Sequence, residues 1–170
     1  MISHKRAIVG LATILAATAV AVGSGATFTS QTASAESSFV SGTLTQSNSK
    51  DGVAIVTGAN MKPGDVRTGE VTISNTGSLP GVFTLTERND SNGFQPGSLT
   101  LRIQDTAPGG AVVYDGDLGS VPASGIALGT FAADGGAKTY RFTVTLQTTA
   151  GDDDQGRSAG AEYVWDAVQQ

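Results

Sequence analysis

Apolar and polar positions alternate along most of this chain with a period of two. Tyr140, Phe142, Val144 and Leu146 fall on one side of residues 139–147, with Arg141, Thr143 and Thr145 on the other. Leu99, Leu101 and Ile103 alternate with Thr100, Arg102 and Gln104, and Phe83 and Leu85 flank Thr84. Successive side chains of a strand point to opposite faces, so each run predicts a half-buried strand. Further strands are expected at residues 39–45, 53–56, 70–74, 112–114 and 162–168, with a less regular one at 126–131. In 162–168 apolar residues fall on both faces, which predicts a strand that is central or covered on both sides. The core is expected to hold Val71, Ile73, Phe83, Leu85, Tyr140, Phe142, Val144, Leu146 and Trp165.

Turn chemistry punctuates these runs. Pro63-Gly64-Asp65 launches the strand at 70–74: Pro63 fixes its own φ and removes a donor, and Gly64 accepts the left-handed geometry of the turn. Asn75-Thr76-Gly77 ends that strand. Asn48 to Gly52, Asn89 to Gly93, Pro96-Gly97 and Asp115-Gly116-Asp117 read as loops. No segment after residue 27 keeps a 3.6-residue period over a helical window. The expected fold is therefore all-β: an antiparallel sandwich of eight or nine short strands, for which a jelly roll is an available form.

The front of the chain follows a different pattern. His4, Lys5 and Arg6 precede an uncharged run from Ala7 to Val22, and the small residues Gly23-Ser24-Gly25-Ala26 follow. Basic, apolar, then small is the order of a secretory signal, which predicts a signal-peptide helix over residues 1–26. The apolar run falls short of the ~20 residues of a spanning helix, so membrane contact is expected only through the uncleaved signal. Cleavage by a signal peptidase is expected after Ala26, close behind the apolar run. Ala35 in Ala33-Ser34-Ala35 is the alternative site, which would move the end of the signal to residue 35. A segment at 27–38 then precedes a sandwich domain at 39–170. Thr27, Phe28, Thr29, Gln31 and Thr32 give that segment a β-prone, uncharged character. It is suited to adding a strand to a sheet edge, its own or a neighbour's, and a frayed tail is the other reading.

Composition excludes several chemistries. Losing residues 1–26 removes Lys5 and Arg6 but no acid, leaving eight Lys and Arg against 15 Asp and Glu, a net charge near −7. Such a surface repels nucleic acid. The chain has no Cys, and its single His is His4. Beyond the signal there is no imidazole or thiol for a zinc site, a Cys-His pair or a Ser-His-Asp triad, so neither catalysis nor a cofactor is expected. Asp152-Asp153-Asp154 is a weak calcium candidate through oxygen ligands, but it lacks the alternating spacing of an EF-hand loop and reads more simply as a solvated turn.

Four ordered pieces resemble the exported matrix and surface proteins that include TasA and camelysin, the CalY or TasA family. They are residues 23–28 (GSGATF), 39–44 (FVSGTL), 60–65 (NMKPGD) and 73–79 (ISNTGSL). Echoes follow at 140–146, 155–158 and 165–169. The resemblance implies a jelly-roll sandwich, export, and in some members polymerisation into extracellular fibres in which the N-terminal segment of one subunit completes the sheet of the next. Residues 27–35 occupy that position here. Some members carry a metallopeptidase label, which this sequence does not support through histidine ligands. The expected role is a secreted structural subunit of a cell-surface or biofilm-matrix assembly, with itself or other matrix proteins as partner. A non-polymerising Ig-like binding or adhesion module is the alternative.

Overall fold

The computed structural model describes residues 41–169, and over that span it is a two-sheet antiparallel sandwich. Eight strands follow one another: β1 (Gln46–Asn48), β2 (Val66–Asn75), β3 (Gly81–Asn92), β4 (Leu99–Asp105), β5 (Val112–Asp117), β6 (Ile126–Phe131), β7 (Gly136–Leu146) and β8 (Ala159–Gln169). The one helical element among the described residues is a 3-10 turn at Asp152–Asp154. The expected signal helix and the segment at 27–38 lie outside the described residues.

The strands form a five-stranded sheet in the order β1-β2-β7-β4-β5 and a three-stranded sheet in the order β6-β3-β8. Within them β2 pairs with β7, β3 with β6 and β4 with β5. These are three of the four nested pairs that make a jelly roll, in which a long antiparallel ribbon is folded over into two sheets. The fourth pair, first strand with last, is not formed among the described residues. Here β1 pairs with β2 instead, and among the described strands β8 has a single neighbour, β3. The jelly-roll place beside β8 is therefore the one the described strands leave open.

The alternation read from the sequence sets the faces. Val71, Ile73, Leu99, Leu101, Ile103, Tyr140, Phe142, Val144 and Leu146 of the larger sheet meet Phe83, Leu85, Leu128, Phe131 and Trp165 of the smaller. All nine expected core residues are buried. Phe83 and Phe131 stack at 4.1 Å between centroids, and Phe142 meets Tyr163 edge-on at 4.9 Å. The outward face of the larger sheet carries Thr72 and Thr139, whose hydroxyls lie 2.7 Å apart, and the exposed Arg141–Glu70 pair at 2.8 Å. Such exposed pairs contribute little to stability.

Several local expectations are corrected. Of the strand expected at 39–45, the described part, 41–45, lies outside the strands. It is hydrogen-bonded to the loop at 76–79 through Thr76 N to Thr45 O and Leu79 N to Thr43 O, and the strand itself begins at Gln46. Residues 53–56 form no strand. They lie against the inner side of β2, where Gly69 leaves room for the Ile55 carbonyl that a Cβ would strike. Asp115-Gly116-Asp117 belongs to β5, and residues 89–92 continue β3 past an irregularity between Arg88 and Ser91. Most telling is β8, expected to be central or covered on both sides. It is an edge strand of the described sheet, with Val168 68% exposed on its outer face. Apolar residues on both faces are as compatible with an unsatisfied edge as with a buried centre, and one sequence does not separate the two.

Candidate assembly site beside the last strand

The N-terminal half of β8 borders a cleft of about 850 Å³. Ala159, Ala161 and Tyr163 supply one wall and Ile55, Val56 and Met61, from the segment before β2, supply another. Core residues line it as well: Leu99, Leu101, Phe142 and Val144, with Phe94 beside them. Arg67, Asp152 and Arg157 also border it. The cleft is thus bordered by apolar residues of both sheets.

Further along β8, the Gln46 side chain of β1 donates from Nε2 to the Trp165 carbonyl at 2.7 Å. This bond stitches the edge of the larger sheet to the edge of the smaller. A second, small hollow of about 190 Å³ lies there, lined by Leu44, Thr45, Gln46, Trp165, Asp166 and Ala167. Three buried polar atoms lack a partner among the described residues: Trp165 Nε1, Tyr163 OH and Glu87 Oε1. Two of the three belong to β8. The Tyr163 hydroxyl has its pKa pushed far up, first by burial and then by the Glu87 carboxylate, so it is a neutral donor at any physiological pH. A buried donor without an acceptor costs about 1–3 kcal/mol; the Tyr163 hydroxyl has the Glu87 carboxylate as its neighbour, which leaves the Trp165 indole as the donor on β8 that wants one.

The motif residues that single out this sequence act at the opposite end of the chemistry, as fasteners. Asn75 closes β2 with no exposure to solvent. Its Oδ1 accepts from Gly77 N at 3.0 Å and its Nδ2 donates to Leu79 O at 2.8 Å, an Asx turn that carries the chain from one sheet to the other. The same loop accepts from Asp134 N through the Gly77 carbonyl, and a Cβ on Gly77 would strike the backbone of residues 43–45. Gly64, at φ 92°, donates its N–H to Leu146 O at 2.7 Å, which docks the turn before β2 onto β7.

The acidic run is divided in its roles. Asp154 is buried: its carboxylate accepts from Gln95 N at 2.7 Å, Ser98 Oγ at 2.8 Å and Gly151 N at 3.3 Å. The hydrogen bond from Gln95 N does most to hold the Asp154 carboxyl below its ordinary pKa; those from Ser98 and Gly151 add to it and burial opposes it. Asp152 and Asp153 are exposed, and Asp152 Oδ1 accepts from Gln155 Nε2. Among the described residues no three His, Cys, Asp or Glu side chains gather into a group able to hold a metal. The expected assembly residues Thr27, Phe28, Thr29, Gln31 and Thr32, and both expected cleavage positions, Ala26 and Ala35, lie outside the described residues. The open place beside β8 was not legible in the sequence, because nothing local distinguishes an edge strand from a central one.

Residues 3–86 match the family described as camelysin metallo-endopeptidase, consistent with the TasA/camelysin family. The match runs from the expected signal through β1 and β2 and the Asn75 turn into β3. No curated protein is matched by the chain. The family's name implies a metal, and the donor set does not fit one: the only imidazole in the chain is His4, there is no thiol, and the described carboxylates do not converge. No step through a metal follows from these residues.

Proposed function

On the premise of the camelysin-family match, we propose that this chain is a secreted, matrix-type structural subunit that polymerises when residues 27–35 of one copy add as a strand beside β8 of the next. The family match supports the coarser part, an exported protein of the surface or matrix. No helix among the described residues is long and apolar enough to cross a membrane.

The observation that carries the finer part is the nested pair left unformed among the described residues, where a sheet of three described strands lies opposite one of five and β8 is open toward an apolar cleft. A strand placed there gains backbone hydrogen bonds along β8, and its alternate side chains enter the cleft. The segment's Phe28 is of a size to fill apolar space, and Thr27, Thr29 and Thr32 are β-prone and uncharged.

Negative-stain electron microscopy of the exported chain, with and without residues 27–35, tests this. Fibres are expected from the full exported chain and not from the shortened one. N-terminal sequencing should place the start at Thr27, keeping the segment, and not at Glu36. A chain that stays monomeric at all concentrations, with or without the segment, favours the Ig-like binding module instead.

A further inference from the structure

Resting on that reading, we infer that Gln46 is a clasp that holds the β8 edge partly closed until an incoming strand displaces it. Strand addition is limited by the rate and cost of breaking this one side-chain contact. The bond from Gln46 Nε2 to the Trp165 carbonyl is 2.7 Å long, part-buried, and joins residues 119 apart in sequence. Among the described residues it is the one hydrogen bond between β1 and β8, and these strands belong to different sheets. The amide therefore does for the Trp165 carbonyl what a neighbouring strand's N–H would do.

The position of the clasp divides the edge. On one side lies the large cleft at Ala159–Tyr163, and on the other the small hollow at Asp166 and Ala167. A strand enters readily at the cleft, where the larger sheet meets β8 through the apolar Phe142–Tyr163 ring pair. To pair along the whole of β8 it must take the Trp165 carbonyl from Gln46. The anchor behind Gln46 is firm: β1 pairs with β2 from Gln46 to Asn48, and the Thr45 carbonyl accepts from Thr76 N at 2.9 Å. Only the side chain has to swing, so the barrier is one hydrogen bond and no strand need unfold. Edge strands are a template for unwanted pairing, and a polar side chain that occupies one carbonyl blunts the edge without abolishing it.

Trp165 is the sole tryptophan of the chain and carries the carbonyl in question, so its fluorescence reports on the surroundings of the contact. A synthetic peptide of residues 27–35 is titrated into the chain lacking those residues and carrying Gln46, Gln46→Ala or Gln46→Glu, docking is read from Trp165 emission, and assembly is followed on the full exported chain. Neither replacement can donate to the carbonyl. Both variants should dock the peptide about five-fold more tightly than the parent, the worth of one net hydrogen bond, and should assemble correspondingly faster. If Gln46 merely props up the fold, both variants would melt lower and dock no better. Docking by the parent with unchanged or weaker docking by both variants overturns the clasp alone. Failure of all three to dock, with no effect of removing residues 27–35 on assembly, overturns strand donation, and the clasp falls with it.

Discussion

Replacing Asn75 by Ala should cost the fold about 2–4 kcal/mol, although it removes only a few atoms from a turn. Asn75 has no exposed surface, and its side chain makes two well-formed bonds, to Gly77 N at 3.0 Å and Leu79 O at 2.8 Å, with a longer contact to Phe131 O at 3.4 Å. Alanine leaves those backbone groups without their partner. Each buried orphan costs roughly 1–3 kcal/mol. Gly77 is buried and bears the full penalty, whereas Leu79 is only half-buried and flanked by exposed Ser78 and Pro80, so water recovers part of its loss. Two such terms, one discounted, give the range above.

The measurement is equilibrium denaturation followed by Trp165 fluorescence, with the melting temperature as a second readout. For a domain of this length each kcal/mol shifts the melting temperature by roughly 3–5 °C, so a fall of roughly 10 °C is expected. Asn75→Asp keeps the acceptor for Gly77 N but sets a carboxylate against the Leu79 carbonyl, and should be at least as damaging at neutral pH. A loss below about 1 kcal/mol for Asn75→Ala would show that water replaces both bonds and that the turn is not a fastener.

Phe142→Ala removes a fully buried ring that packs edge-on against Tyr163 and borders the cleft, and should cost roughly 3–5 kcal/mol in the same denaturation assay. A loss well under 1 kcal/mol would place the ring's contribution outside the core. Asp154 has a folded-state pKa below its ordinary value of 3.8, so its contribution is present above that value and is lost as pH falls through the lower folded-state pKa. Acid denaturation curves of Asp154→Asn should accordingly be flatter below pH 4 than those of the parent. Identical acid limbs would mean that the bonds to Gln95, Ser98 and Gly151 do not favour the ionised form.

Much of this architecture was written in the local pattern. The period-two run at 139–147 fixed which side of β7 faces inward, because a strand's two faces follow from the chain's own geometry and a one-residue slip would expose Tyr140, Phe142, Val144 and Leu146 together. The Pro63-Gly64 and Asn75-Gly77 turns were legible for the same reason: the conformations they need are properties of a few adjacent residues. The absence of imidazole and thiol beyond His4 was likewise a fact of composition.

What the sequence left undecided was every property that depends on which strand lies beside which. That Asp154 is a buried acceptor for the backbone at Gln95, while Asp152 and Asp153 stay in water, depends on segments some 60 residues apart meeting at one point. That β1 joins β2 and not β8, so that Gln46 reaches Trp165 across 119 residues and the place beside β8 is left open among the described strands, depends on strand pairing. Alternation tells a strand which face to bury. It carries no term for which edge will find a partner, since the hydrogen bonds along that edge are made by backbone groups that every residue other than proline shares.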